Sequence, residues 1–493
     1  MRIDPRTPVV VGGGQVNERD GGVEPVDLIV RAARDAGEEA GAPKLLENID
    51  SVRVVGLLSW RYRDPGALVA ERLGAGPVHT GYTGNGGSTP QVLVNVAAED
   101  IAAGRADVIL IGGAESWRTR MKLRARGERP AWTKQDESVP PAEIIVPDVP
   151  MEAESERRIG LDRPSYVYPL FEQALRISAG RTIAEHAEHI GTLWSSFSEM
   201  AATNPHAWTQ RSYAAADLAT ASENNRWIST PYPKLLNSNN MVDQGAALIL
   251  CSAEAAERFG VPRSEWVFPH SGTESKDTDA IAARGALDRS AAIRIGARRA
   301  LELARVGIDD VSFLDIYSCF PSAVQVAAIE LGLDPSGVQR PLTCTGGLTF
   351  AGGPWNNYST HAIVTVAARL RESPGTFGLV TANSGYLTKH AFGVYSTEPP
   401  NGGFRRENVQ AEVDAEPTTE VAETHDGIAE IESWTVAFGR DGDPDKAFVA
   451  ARVPGGARTL AVVTDRGDLD EFADAEMAGR PLRVEESGTA RLD

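Results

Sequence analysis

The chain has 493 residues, 42% apolar and 24% charged, the make-up of a globular protein with room for two or three domains. Its 49 Lys+Arg against 68 Asp+Glu give a formal charge of -19, which argues against nucleic acid as the main partner but leaves room for a local phosphate site. Three cysteines, Cys251, Cys319 and Cys344, are too few for a disulfide framework; with no apolar N-terminal signal segment and no run long enough to span a bilayer, the expected setting is a reducing cytoplasm away from membranes.

Pro8–Val11 reads as a short buried strand turned by Gly12, Gly13 and Gly14. A dinucleotide fold is excluded there, because a polar loop follows the glycines and the helix begins only near Glu24 and Pro25. A strand over 52–58 and a helix over 65–73 lead to the stretch 82–113, around which the rest is organised. In it a strand ends near Thr83, glycines 84, 86 and 87 make a tight turn, and Ser88 is placed to cap a helix that Pro90 enters. Leu93, Val96, Ala97 and Ile101 recur at helical spacing, Gly104 stops the helix, and Val108–Ile111 is a buried strand closed by Gly112 and Gly113. Free backbone N–H groups converge at such a turn, which suits an electrophile. Glycine stands where a nucleophile would be placed.

From Trp117 to about Leu236 the alternation stops, and the segment reads as an insertion with its own helices. His186 and His189 lie one turn apart on a helix over 182–203; without a carboxylate or cysteine at ligand spacing they read as partly exposed helix histidines, and no metal is expected. Alternation resumes at Asn239, with helices over 290–306 and 321–331 around a strand over 312–316. A second glycine turn over 346–353 precedes a helix over 359–371, a strand over 377–381 and the loop A-N-S-G-Y. The order of glycine turn, helix, strand and polar loop thus occurs twice, which implies two similar α/β halves. Gln410–Glu423 is acidic and apolar-poor, a linker or exposed strand, and 427–483 reads as a small β-barrel or sandwich.

Five motifs carry a resemblance over roughly residues 5–398: N-G-G-S-T at 85–89, A-D-V-I-L-I-G-G-A-E-S at 106–116, D-Q-G-A-A at 243–247, L-D-I-Y-S-C-F at 314–320 and G-G-L-T-F-A-G-G-P at 346–354. In this order they resemble the thiolase superfamily, in particular the sterol-carrier-protein-type thiolases and the acetyl-CoA acetyltransferase-like group. The resemblance implies an α/β thiolase fold of two βαβαβ-type halves, divided as 1–116, an insertion 117–236, a return 237–275 and a second half 276–400, with an added OB-like β domain at 425–493. It also implies acyl-coenzyme A as small-molecule ligand and no tightly bound cofactor. Such thiolases need a cysteine at the position of Gly84, a histidine at that of Gly353, an oxyanion-hole side chain at that of Tyr317 and a cysteine loop at that of Asn383, so ordinary thiolase chemistry is not expected. Cys319 remains where the sterol-carrier-type branch has an acid/base cysteine.

Three functions stand open at this point, and with them whether the chain is an enzyme at all. One is coenzyme A or acyl-CoA binding through Gly86, Gly87 and Ser88, with Arg181 and Arg211, joined by Arg226 and Lys234, at the phosphates. Another is an acyl-CoA carbon–carbon lyase using Tyr317 as acid/base, with turn N–H groups holding the enolate. The last is an assembly or delivery role for the C-terminal domain. The strand before the turn, V-H-T-G-Y-T, makes a monomer as open as the homodimer usual for the family.

Overall fold

The computed structural model describes residues 3–493. Its strands form three sheets. The first contains β1 (Pro8–Asn17), β2 (Ser51–Val54), β3 (His79–Thr83), β4 (Val108–Ser116), β5 (Glu143–Val146) and β8 (Asp243–Ser252), in the order β1-β8-β4-β2-β3-β5. The second contains β9 (Phe268–Lys276), β10 (Val311–Asp315), β11 (Phe377–Ser384), β12 (Lys389–Ser396) and β13 (Arg405–Asn408), in the order β10-β11-β12-β9-β13.

Two helices, Thr89–Ala102 and Tyr358–Glu372, lie between these sheets and touch both. Pro25–Glu39 covers the outer face of the first sheet, and Ala291–Ala304 that of the second. The result is five layers, helix and sheet alternating. Burial from two sides explains why Thr89–Ala102 carries apolar residues nearly all round rather than on one stripe. Its buried polar pair is satisfied internally: Gln91 Nε2 donates to Asn95 Oδ1 at 2.9 Å, and Asn95 Nδ2 to Glu274 at 2.8 Å.

The glycines expected to turn the first strand instead lie within β1. A Cβ on Gly12 or Gly14 would overlap the carbonyls of Ala36 and Ala32, so these residues let Pro25–Glu39 lie flush on the strand. The strand expected over 52–58 ends at Val54, because the following backbone is claimed from elsewhere: Leu57 N donates to the Tyr82 hydroxyl at 2.8 Å, and Leu58 and Ser59 N to the Glu115 carboxylate at 2.7 Å each.

The third sheet is a closed barrel. β14 (Gly427–Phe438), β15 (Pro444–Arg452), β16 (Arg458–Val463), β18 (Thr489–Leu492) and β17 (Pro481–Val484) follow one another round a ring that closes back onto β14. β6 (Trp227–Ser229) and β7 (Tyr232–Pro233) of the insertion extend it from β14. The barrel has its own core around Trp434, Val449, Phe472 and Met477, while Phe448, Ala450 and Leu460 are buried in the main core. Arg458 is fully buried; its guanidinium donates to Glu432 at 2.7 and 2.8 Å and to the carbonyls of Ala282 and Arg284. The stretch expected as linker or exposed strand is docked instead. Gln410–Val413 forms a helical turn, Val409 and Val413 pack against Ala292 and Ile295, and Glu412 and Glu416 pair with Arg299 and Arg294 at 2.7 Å each.

Candidate functional site

The site lies where the glycine turn after β3 meets the loops after β10 and β11. Ser88 makes no side-chain cap; the helix starts instead on Thr89, whose hydroxyl donates to Gly86 O at 2.8 Å. Two of the turn's amides are already engaged, contrary to a set of free donors. Gly84 N donates to Val146 O at 2.7 Å, and Gly86 N to Asn356 Oδ1 at 2.9 Å. Asn356 in turn donates to Gly56 O at 2.9 Å, and Ser359 Oγ to Gly87 O at 2.9 Å, so the turn is pinned from the opposite half.

A Cβ at the glycines of these turns would meet close neighbours. A Cβ on Gly84 would lie 2.5 Å from the backbone N of Asp148 and 2.7 Å from its Cα. The insertion segment that follows β5 crosses the turn there, with Asn85 Nδ2 on Asp148 at 3.1 Å. A Cβ on Gly353 would lie 2.8 Å from Asn240 Oδ1. On Gly87 it would overlap the Tyr317 hydroxyl, and on Gly86 that of Ser384.

Tyr317, Asn383, Ser384, Gly86 and Gly87 therefore converge, and Cys319 joins them through Asn383 Nδ2 at 3.7 Å. Tyr317 is buried edge-on against Tyr358 (5.4 Å), and burial together with the Cys319 thiol pushes its phenol well above the ordinary range. The insertion adds Tyr168, which the sequence did not single out. Its hydroxyl accepts from Asn383 Nδ2 and Leu387 N at 2.9 Å each and donates to Gly385 O at 3.2 Å. Asn383 Oδ1 and Ser384 Oγ are buried without a partner among the described residues. Trp355 (φ 48) and Leu387 (φ 56), bulky residues in the left-handed region, flank the site, and each costs about 1–3 kcal/mol that the surrounding contacts must offset.

The acidic residues of the motifs act as anchors. Glu115 holds Leu58 and Ser59, and burial pushes its carboxyl up to about 7. Asp243 accepts from Thr119 N and Oγ1 at 3.0 and 2.7 Å. Asp315 accepts from Tyr358 at 2.8 Å and from Thr343, Cys344 and Thr345 at 2.9–3.1 Å, which fixes the second glycine turn. These residues shape loops whatever chemistry runs beside them.

Of the other singled-out residues, His186 is buried rather than partly exposed, because Glu172 of the neighbouring helix Pro164–Ser178 meets it at 2.6 Å; Tyr232 and Gln325 complete the pairing. Arg211 lies over the Tyr213 ring in a surface cleft of the insertion, and Arg181 lies elsewhere, its carbonyl accepting from Arg176. Among the described residues no group of three or more His, Cys, Asp or Glu is placed to hold a metal, and no helix is long and apolar enough to cross a membrane.

Burial pushes all three thiols, Cys251, Cys319 and Cys344, up to about 12. At pH 8 the thiolate fraction is then on the order of one in ten thousand. Native protein is expected to take up no iodoacetamide in a time that labels all three cysteines of the denatured chain, as read by intact mass. Fast labelling of Cys319 alone would show an activated thiol.

Residues 408–489 match the family described as the thiolase-like protein type 1 additional C-terminal domain. The acetyl-CoA acetyltransferase of Methanocaldococcus jannaschii is 24% identical over 314 residues, 63% of this chain and 71% of the relative. Among solved structures, the Ltp2–ChsH2(DUF35) aldolase superposes with a TM-score of 0.60 at 20% identity, over 79% of this chain and 98% of that one, which shows a shared fold. The crystal structure of a monomeric SCP2-thiolase-like protein type 1 from Mycobacterium smegmatis matches over 100% of both chains, with a TM-score of 0.84 and 31% identity. With that likeness over its whole length and that C-terminal domain, the chain belongs to the SCP2-thiolase-like proteins of type 1.

Proposed function

We propose that this protein binds coenzyme A or an acyl-CoA without running thiolase chemistry. The observation that carries the reading is the occupied space at Gly84, where a Cβ would meet the backbone of Asp148; Gly353 likewise offers no side chain, and the Asn240 amide reaches toward it. What remains suits recognition. The unpartnered Asn383 Oδ1 and Ser384 Oγ are buried polar atoms that an amide or thioester could satisfy. Isothermal titration with coenzyme A and a panel of acyl-CoAs tests this, binding being expected in the absence of any acetoacetyl-CoA thiolysis. No heat with any of them at millimolar ligand would defeat the reading and favour an assembly role.

The lyase reading has one observation of its own, the Tyr317 hydroxyl held against Gly87 in the turn. A phenol pushed so far up stays protonated at working pH, so it can supply a proton but not serve as a base, and the engaged Gly84 and Gly86 amides leave fewer donors for an enolate.

The chain acts as a monomer in this proposal. β5 pairs parallel with β3, the edge on which a second copy would add, and prolines 140, 141, 147 and 150 flank β5. Gly81 admits Ile145 across the strand. Light scattering is expected to give one chain of 52.7 kDa, and replacing Glu143–Val146 by Gly and Ser is expected to produce dimers or aggregates.

A further inference from the structure

Two clefts adjoin on the surface of the insertion. One, of about 620 Å³, is lined by Arg211 and Lys234; the other, of about 560 Å³, by Arg226, Lys234 and Arg440; Asn224 borders both. Four cations thus line two adjoining clefts of a chain whose net charge is -19, with Lys234 common to both and Asp217 and Glu223 as the acids among the lining residues. None of the four forms a salt bridge among the described residues. Like charges gathered without counter-charges repel, and a bound polyanion relieves that repulsion.

Three of the cations come from the insertion and one from the barrel, and the backbone fixes their relation. Thr230 N donates to Val436 O at 2.9 Å, Val436 N to the Thr230 hydroxyl at 2.9 Å, and Ser229 pairs with Ala437. Arg440 follows directly in the hairpin between β14 and β15. On the insertion side Asn225 is buried and donates to the carbonyls of Asp217, Leu218 and Thr220 at 3.0–3.1 Å, while Lys234 N donates to Arg226 O at 2.9 Å. The floor is therefore rigid.

The chain that leaves the cleft runs to the site. Four residues beyond Lys234, Ser238 Oγ donates to Cys319 O at 3.0 Å. Four residues of extended chain span at most about 14 Å, a distance comparable to a pantetheine arm.

We propose that Arg440 of the barrel, with Arg211, Arg226 and Lys234, binds the phosphates of a nucleoside bis- or diphosphate, so that the C-terminal domain forms one wall of the ligand site. The inference rests on the acyl-CoA reading for the identity of that nucleotide as the end of coenzyme A rather than a free one.

Titration of the full chain with coenzyme A, adenosine 3′,5′-bisphosphate, ADP and pantetheine separates these statements. Arg440→Glu is expected to weaken coenzyme A and the bisphosphate by roughly tenfold or more, and Arg440→Ala by roughly five- to tenfold, the worth of one charge-assisted contact. Pantetheine should be unaffected, and Arg491→Glu, a reversal on the same barrel outside the clefts, should change nothing. Binding of the nucleotides should weaken as salt rises. If coenzyme A binds and neither Arg440 variant alters it, the inference falls while the acyl-CoA reading stands. If the bisphosphate or ADP binds in an Arg440-dependent way but coenzyme A does not, the cleft is a free-nucleotide site and the acyl-CoA reading falls. No binding of any phosphate probe overturns the inference outright.

Discussion

Gly84→Cys, alone or with Gly353→His, is expected to leave acetoacetyl-CoA thiolysis at background. The missing side chains have not left a vacancy to refill. At 84 the new Cβ meets the backbone N and Cα of Asp148, so trimming that side chain with Asp148→Gly does not make room. At 353 the imidazole has to displace Asn240, whose oxygen lies 2.8 Å from the Cβ position. Overpacking of this kind typically costs about 1–3 kcal/mol, so each variant should also unfold at lower denaturant. A thiolysis rate well above background in the double variant would mean that the segment over the turn lifts freely, and the case against thiolase chemistry would fail.

Arg458→Met is expected to lower stability by about 3–5 kcal/mol, the usual consequence of removing one partner of a buried ion pair. The change strips Glu432 of two charge-assisted bonds, leaving it Arg452, and orphans the carbonyls of Ala282 and Arg284. Arg458→Lys should recover little, since a point charge cannot replace the fork. The effect should reach the site. Arg284 is buried, and its guanidinium donates to Tyr386 O and Leu387 O at 2.6 and 2.8 Å; Leu387 N in turn donates to Tyr168. Urea melts followed by tryptophan fluorescence should shift as a whole. An early separate transition of the barrel with the rest unmoved would show that the two parts are independent.

Much of the chain was legible because its signals are local. Asp64 caps Pro65–Leu73 and Gly74 ends it in the left-handed region, while Thr182 and Glu185 form the capping box of Ile183–Thr203. Both boundaries follow from those residue types. The closed pocket was not legible, because it depends on residues far away in sequence: Asp148 lies 63 positions from Asn85, and Asn356 lies 270 from Gly86. The role of Tyr168 escaped for the same reason, since on its own helix it is, with Phe171, one of two buried aromatics. Gly12 to Gly14 look like a turn to any local rule, and only the helix that packs on them explains their presence inside a strand. Glu172 and His186 lie on successive helices, so no ligand spacing within one helix reveals their pairing.

The strand pairing between insertion and barrel sets a timetable for synthesis. Thr230 and Val436 are 206 residues apart, and a ribosome adding about 5–20 residues per second needs about 10–40 s to deliver the second after the first. During that interval β6 presents an unpaired edge beside Trp227, and Phe448, Ala450 and Leu460 have not yet arrived to complete the main core. A nascent chain halted anywhere before β14 is thus a sticky intermediate rather than a smaller working protein, and its yield in a cell will depend on how well chaperones shield it until the last strands emerge.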